Sequence, residues 1–268
     1  MRIFRVFFSA AIVVSTAGAG LVTATTASAA GAVNYVALGD SYSSGVGAGD
    51  YISSSGSCQR STRAYPEQWA DANGPASFVS AACSGATTAD VLSSQVSALS
   101  GSTTLVSITI GGNDAGFSSV METCVLASTS SCLNAVATAE TFISTELRGR
   151  LDQVLATIAA DAPNARVVVL DYPQLYDMSR STFCLGLSTS DRVALNGGAD
   201  DLDYVIQQAA QDNHDTFADV RHQFTGHEIC DSGSWLHSVD IFAISSSYHP
   251  TAAGQDLGYL PVFASEAD

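Results

Sequence analysis

The chain has 268 residues, of which 46% are hydrophobic, and its formal net charge at pH 7 is −16. That length suits one domain with a sizeable core. All ten basic residues are arginine, which excludes chemistry that depends on a lysine, such as Schiff-base formation or phosphate binding by a P-loop. The acidity also argues against nucleic acid and anionic lipid surfaces as partners, because these need a basic surface to neutralise their phosphates.

The first 29 residues are typical of a secretory signal peptide. Arg2 and Arg5 precede an apolar stretch at 6–14, and small residues follow up to Ala27-Ser28-Ala29. The apolar stretch is much shorter than the roughly 20 residues that span a bilayer, so we expect cleavage and no stable membrane insertion. The sequence therefore predicts a secreted, extracellular chain whose mature domain spans residues 30–268.

All six cysteines lie in the predicted mature part. An even number in an exported chain predicts disulfides, and no C-x-x-C pair indicates a metal or redox site. The sequence does not choose among the possible pairings. Because short loops close most easily, we expect nearest neighbours to pair. The expected pairs are 58 with 83, 124 with 132, and 184 with 230.

Short apolar runs alternate with helical stretches along the mature part. Continuous apolar character is typical of strands that are buried on both faces of a parallel sheet. Helical spacing of apolar residues over 143–158 predicts an amphipathic helix, and Ser190 could cap another. The alternation predicts an α/β fold with a parallel sheet covered on both faces, in which ligands bind beyond the carboxyl ends of the strands. The predicted strands are residues 33–38, 77–82, 104–110, 166–171 and 216–220.

The first predicted strand leads into Gly39-Asp40-Ser41, which puts a hydroxyl on a tight turn at the carboxyl end of the strand. This position suits a nucleophile. Serine and aspartate also cap helices very often, and this segment alone does not decide between the two interpretations.

Two further strand ends carry glycine turns, with Gly85 after the second strand and Gly111-Gly112-Asn113-Asp114 after the third. Glycine leaves backbone N–H groups open to a ligand, and an asparagine side chain beside them could help to stabilise an oxyanion. Taken alone, each segment is also typical of an ordinary turn.

A histidine stands near the end of the chain, in Tyr248-His249-Pro250. We expect Pro250 at the first position of a helix, which would leave the imidazole at the mouth of that helix. His237 is the one serious rival as a base. The remaining histidines have no motif around them and are interpreted as surface or packing residues: His214, His222 and His227.

These four segments, in this order, resemble the SGNH (GDSL) hydrolase superfamily, and specifically the secreted lipases and phospholipases of actinomycetes. The fourth block is completed by Gly254. The resemblance implies a three-layer α/β/α, flavodoxin-like fold with a five-stranded parallel sheet, and no metal or other cofactor. It also implies that Ser41 is the nucleophile and His249 its base. The implied oxyanion hole consists of the N–H groups of Ser41 and Gly85 and the side chain of Asn113.

One position departs from the family pattern, which has an aspartate three residues before the histidine. Here that residue is Ser246, and a neutral serine cannot stabilise an imidazolium as a carboxylate does. Some relatives orient the histidine with a main-chain carbonyl, so we expect the carbonyl of Ser246 or Ser247 at Nδ1 of His249. The site would then be a Ser-His dyad.

The residues and the resemblance together predict a carboxylic ester hydrolase of the lipase or phospholipase A1 type that acts through an acyl-enzyme. The expected partner is a small-molecule or lipid ester, and we expect a monomer. Two alternatives remain: a carbohydrate acetylesterase, and an inactive binding protein on the same fold, which only Ser246 favours.

A cluster of acidic residues at Asp200, Asp201 and Asp203 could bind calcium. We interpret it instead as the solvated start of a helix, where carboxylates are favourable.

Overall fold

The structure is a computed structural model that describes residues 32–180, 186–239 and 246–267. The predicted leader and Cys184, a member of the third expected disulfide, lie outside the described residues. Within the described part of the chain, no helix has both the length and the apolar character needed to cross a membrane.

The sheet consists of β1 (Asn34–Gly39), β2 (Ser77–Ser80), β3 (Leu105–Thr109), β4 (Arg166–Leu170) and β5 (Thr216–Ala218). All strand pairs are parallel, and the order is β2-β1-β3-β4-β5. Each strand lies within two residues of its predicted bounds. Because the chain leaves β1 toward β2 and returns to β3, the direction reverses between β1 and β3. Such a reversal opens a crevice at the carboxyl ends of the two strands.

The expectation that every strand is buried on both faces is wrong for the two edge strands, β2 and β5, of which β5 is only partly buried. The central strands β1, β3 and β4 are almost entirely buried, but β2 lies at the edge of the sheet and leaves Val79 46% exposed. An edge strand has a neighbour on one side only, so less of its surface is covered.

Helices cover both faces of the sheet, which gives the three-layer α/β/α fold. Helices α2 and α9 pack together on one face, and α6 and α7 pack together on the other. The α-helices are α1 (Ser41–Ser44), α2 (Tyr65–Asn73), α3 (Thr88–Asp90), α4 (Phe117–Leu126), α5 (Thr129–Phe142), α6 (Arg148–Asp161), α7 (Thr189–Asp212), α8 (Arg221–Phe224) and α9 (Leu260–Ala267). Short 3₁₀ segments lie at Ser53–Cys58, Val96–Ala98 and Met178–Arg180, and π-helical segments at Val91–Gln95, Ile143–Leu147 and Gly254–Tyr259.

The amphipathic helix predicted over residues 143–158 is confirmed, as the segment Ile143–Leu147 continued by α6. Its apolar residues face the core, as the helical spacing indicates. The buried set consists of Ile143, Leu147, Leu151, Val154, Leu155 and Ile158.

Helix α7 begins earlier than expected, because Ser188 caps it rather than Ser190. The Ser188 hydroxyl accepts a hydrogen bond from the Asp191 N–H, and the Asp191 carboxylate accepts one from the Ser188 N–H. This reciprocal box needs an acidic or amide residue three positions after the cap, and Ser190 is followed there by a valine. Of the residues expected to be buried, Leu202, Ile206 and Ala209 are buried and Val205 is half-buried.

Two of the expected disulfides are confirmed. One joins Cys58 to Cys83, and the other joins Cys124 in α4 to Cys132 in α5. The second therefore ties together two helices that border the site described below.

Candidate active site

Ser41 is the first residue of α1, directly beyond the carboxyl end of β1. Gly39 makes the turn with φ +121°, and a Cβ there would lie 2.4 Å from the carbonyl oxygen of Thr109, so only glycine fits. Asp40 caps the helix, with Oδ1 accepting from the Tyr42 N–H at 3.0 Å. Because Asp40 does the capping, the hydroxyl of Ser41 is not used for it.

The Ser41 hydroxyl meets the imidazole of His249, with Oγ 2.7 Å from Nε2. The other ring nitrogen, Nδ1, lies 3.0 Å from the carbonyl oxygen of Ser247. A carbonyl can only accept, so Nδ1 carries the proton and Nε2 is left to accept from Ser41. The carbonyl at Nδ1 belongs to Ser247 rather than Ser246, whose own carbonyl accepts the backbone N–H of His249.

The segment that carries His249 differs from the expected helix start. Pro250 forms an isolated bridge with Leu236, and the helical turns begin two residues later, at Ala252. Thr251 precedes them, and its hydroxyl accepts from the Gly254 N–H at 3.2 Å. A Cβ at Gly254 would lie 2.5 Å from the carbonyl oxygen of Trp235, which explains the glycine of the fourth block.

His237 supports His249 rather than competing with it. The backbone N–H of His237 donates to the His249 carbonyl at 2.9 Å, and the His237 carbonyl accepts from the Tyr248 N–H at 2.9 Å. The His237 Nε2 lies 2.8 Å from the Gly47 carbonyl, so that nitrogen is a donor and cannot accept a proton from serine.

Burial lowers the pKa of His249 to about 4. The Ser247 carbonyl raises this pKa and the neighbouring His237 lowers it, but both effects are smaller than that of burial. His249 is therefore neutral at pH 7, which is the form that can accept a proton.

The proposed oxyanion donors lie in the turns beyond β1, β2 and β3. Among the described residues, the N–H groups of Ser41 and Gly85 meet no hydrogen-bond acceptor, and Gly85 has φ +78° with open space on the side where a Cβ would lie. Asn113 donates one of its two amide N–H groups to the Ala86 carbonyl at 2.9 Å, which ties the second turn to the third. The other N–H group remains available to a ligand.

Asp114 fixes the same pair of turns from the other side. Its carboxylate accepts from both the N–H and the hydroxyl of Thr88, at 2.9 and 2.6 Å, and the guanidinium of Arg150 lies 3.6 Å away. The Asp114 side chain is fully buried. Asp114 therefore ties the turn that carries Asn113 to the start of α3.

Sequence reasoning missed Tyr172, which directly follows β4 after Asp171. Its hydroxyl donates to Oδ2 of Asp40 and accepts from the Gly112 N–H at 3.3 Å. Burial raises the pKa of Asp40 to about 6, although the hydrogen bonds donated by Tyr172 and Thr109 oppose the rise. No motif surrounds Tyr172, so its place beyond the carboxyl end of β4 was the one sequence signal that could have indicated a role in the site.

A predominantly apolar cleft opens beside Ser41, and Gly112 and Asn113 form part of its wall. The space in and above this cleft, open solvent included, is about 720 Å³. Gly85 is not among the described residues that line it. The apolar lining comes mainly from α4, α5, α7 and the π segment between α5 and α6: Val120, Val136, Ala139, Ile143, Leu195 and Leu202.

The interpretation of the acidic cluster as a solvated helix start is wrong. The three aspartates lie in the middle of α7, and Asp203 is buried, with Oδ1 accepting from the Tyr172 N–H at 3.1 Å. The Arg221 guanidinium lies 3.9 Å from Oδ2 of Asp203 and 3.4 Å from Oδ2 of the buried Asp171. An arginine therefore supplies the positive charge beside these two carboxyl groups.

The model of the GDSL-like lipase/acylhydrolase family matches residues 37–257 of the chain. The chain belongs to this family. It is therefore an ester hydrolase of the lipase and phospholipase type, on the SGNH-hydrolase fold.

Members of the family from Streptomyces are similar to this chain over most of its length. Lipase 1 of Streptomyces coelicolor is 56% identical over 98% of both chains. The crystal structure of phospholipase A1 from Streptomyces albidoflavus NA297 is 56% identical, with a TM-score of 0.86 over 88% of this chain and 100% of that one. The extracellular lipase of Streptomyces rimosus is 51% identical, with a TM-score of 0.85 over the same shares.

Proposed function

We propose that this member of the family hydrolyses acyl-lipid esters with Ser41 as the nucleophile and His249 as its general base. The observation that carries the proposal is the 2.7 Å contact between Ser41 Oγ and His249 Nε2, with Nδ1 occupied by the Ser247 carbonyl. This contact is within the range expected for a nucleophile and its base. The third group of the arrangement is a backbone dipole instead of a carboxylate.

In the proposed reaction, His249 takes the proton of Ser41 as Oγ attacks the ester carbonyl carbon. The resulting oxyanion is stabilised by the N–H groups of Ser41 and Gly85 and by the amide of Asn113. His249 then protonates the alcohol oxygen, and the bond between that oxygen and the acyl carbon breaks. Water activated by the same imidazole hydrolyses the acyl-Ser41 ester, which restores the serine.

The substrate class rests on the cleft beside Ser41 and on the relatives. The cleft wall is largely apolar, which favours an acyl chain over a sugar or a charged group. The similar Streptomyces proteins are named lipases and a phospholipase A1. We therefore propose neutral or zwitterionic acyl lipids as substrates.

We propose that residues 1–29 are removed and that the chain acts as an extracellular monomer. The two disulfides of the described domain support export, and one relative is described as an extracellular lipase. N-terminal sequencing of the protein from the culture medium, with light scattering of the same sample, tests the cleavage site and the monomer.

The test of the dyad is Ser41→Ala, with Ser44→Ala in the same short helix as the matched control. Ser44 is buried like Ser41, but among the described residues its hydroxyl forms a hydrogen bond only with the Ser41 carbonyl. We expect Ser41→Ala to lose p-nitrophenyl ester hydrolysis and labelling by a fluorophosphonate, and Ser44→Ala to keep both. Turnover or labelling retained by folded Ser41→Ala would remove Ser41 from this role, and an unlabelled, inactive wild type would favour a binding protein.

A further inference from the structure

A second apolar groove adjoins the site on the side of His249. It lies along α4, so we call it the α4 groove, and its wall includes Met121, Val125, Tyr248 and His249. It contains neither Ser41 nor Asn113, whereas the cleft described above contains both of these and not His249. Phe117 lines both cavities and therefore lies between them. The dyad thus has one of its members in each cavity.

This division matches the geometry of the reaction intermediate. The tetrahedral carbon carries four groups: Ser41 Oγ, the oxyanion, the acyl chain and the alcohol oxygen. Asn113 lines the cleft, so the oxyanion and the acyl chain belong on that side. The alcohol oxygen has to face His249, because it takes its proton from that imidazole. The alcohol part of the ester is therefore directed toward the α4 groove.

We infer that the α4 groove binds the alcohol part of the substrate, and specifically a second apolar chain attached to it, as in diacyl and triacyl glycerolipids. The inference rests on the proposed function and adds the substrate class to it. The groove is built for such a chain, since most of its described lining is apolar. Leu126, on its wall, is 76% exposed, so a bound chain would cover an apolar side chain that water now surrounds.

The charge on the α4 groove also indicates which lipid headgroups it favours. Among the described residues that line the α4 groove, only Glu122 carries a formal charge, because His249 is neutral. A carboxylate repels an anionic headgroup and attracts a quaternary ammonium group. The geometry thus favours zwitterionic diacyl lipids and triacylglycerols over anionic phospholipids.

The experiment fills the groove and compares substrates that share one acyl group. Val125 is half-buried on the groove wall, and Val125→Trp would occupy the space of the second chain. Ser119→Trp, on an exposed position of the same helix outside the groove, is the matched control. The substrates are methyl octanoate, 1-octanoyl-lysophosphatidylcholine and dioctanoylphosphatidylcholine, in the same detergent micelles.

For Val125→Trp we expect kcat/KM for the diacyl lipid to fall roughly tenfold or more, as when a pocket loses room for its ligand. The methyl ester and the lysolipid, which lack a second chain, should change less than about twofold, and Ser119→Trp should change none of the three. Equal losses on all three substrates, or no loss on the diacyl lipid, would overturn the inference. A wild type without activity on methyl octanoate would instead contradict the proposed function.

Two further variants keep the test independent of whether the tryptophan is tolerated. Leu126→Asp changes an exposed residue, so the fold is preserved, and we expect it to lower kcat/KM for dioctanoylphosphatidylcholine selectively. Glu122→Gln should raise activity on dioctanoylphosphatidylglycerol relative to the choline lipid and leave trioctanoin unchanged. Loss of the lysolipid and diacyl activities together in Leu126→Asp would mean that the groove recognises the headgroup and not the chain.

Discussion

The hydroxyl of Tyr172 donates a hydrogen bond to Oδ2 of Asp40 at 2.5 Å, although 132 positions of sequence separate the two residues. The Tyr172 hydroxyl oxygen also accepts a hydrogen bond from the Gly112 N–H, at 3.3 Å. One phenol therefore joins the turn that carries Ser41 to the turn that carries Asn113. The Tyr172 hydroxyl thus fixes the position of the proposed nucleophile relative to a proposed oxyanion donor.

Tyr172→Phe is expected to lower kcat about tenfold with little change in KM. A hydrogen bond to a charged acceptor is worth about 1.5 to 3 kcal/mol, and loss of about 1.4 kcal/mol from the transition state alone corresponds to tenfold. The ring remains, so its edge-to-face contact with Tyr42 is kept. Steady-state kinetics on a soluble ester separates kcat from KM.

Tyr35→Phe is the control, since Tyr35 is also buried and its hydroxyl forms a hydrogen bond with Ser107 at 2.6 Å, away from the dyad. Tyr172→Phe loses two buried hydrogen bonds and Tyr35→Phe loses one, so the melting temperature should fall in both variants. If kcat also falls alike, Tyr172 contributes to the fold and not to the positioning of the site.

The pH dependence of kcat/KM should reflect the buried imidazole. Because burial lowers the pKa of His249 to about 4, the neutral base persists well below the usual range of histidine. Activity should therefore fall as the pH drops through about 4, and remain high near pH 6. Asp40→Asn is the control. Burial raises the pKa of Asp40 to about 6, and the asparagine removes this second titration from the pH profile. If kcat/KM of both proteins instead falls as the pH drops through about 6.5, the imidazole is solvated.

The contact of His249 with the Ser247 carbonyl predicts that Ser247→Ala keeps kcat within about threefold, since the backbone remains. Ser246→Asp restores the residue of the usual family pattern. A carboxylate beside the imidazole raises its pKa, so the acid limb of this variant should move to higher pH. Ser246→Asn is the uncharged comparison and should leave the limb in place. A hundredfold loss in Ser247→Ala would mean that the serine side chain is required.

The sequence was enough to predict the sheet and the meeting of Ser41 with His249. Strand bounds follow from short apolar runs, and three turns of the site follow from glycines at the ends of β1, β2 and β3, such as Gly39, where a side chain would collide with a neighbouring strand. Helix starts were less predictable. Ser188 and Ser190 are both good caps, and only the partner three residues later distinguishes them.

The contacts that support the active site could not be predicted from the sequence, for a different reason. Tyr172 and Asp203 act through partners that are far away along the chain, and neither residue stands in a motif. A run of acidic residues on a helix is usually solvated, so only the packing of α7 against β4 could reveal that Asp203 is buried. Likewise, the choice of Ser247 over Ser246 depends on backbone geometry, which two adjacent serines do not encode.

The buried carboxyl of Asp203 gives a prediction about stability. Burial is the largest cause that raises its pKa, the nearby Asp171 adds to the rise, and Arg221 opposes it. The folded chain therefore holds the proton more tightly than the unfolded chain, whose aspartates titrate near about 4. It follows that the free energy of unfolding decreases as the pH rises from about 4 toward the raised pKa, and that this loss is absent below pH 4.

Asp203→Asn removes the charge and keeps the oxygen that accepts from the Tyr172 N–H. Each unit by which the pKa is raised costs about 1.4 kcal/mol at high pH, which corresponds to about 3 to 6 °C in a domain of this size. Calorimetry should therefore find a higher melting temperature than the wild type at pH 8 and a smaller gain at pH 4. Asp201→Asn, at an exposed position of the same helix, should change little at either pH. A loss of stability at pH 8 would mean that the attraction between Asp203 and Arg221 outweighs the cost of burying the carboxylate.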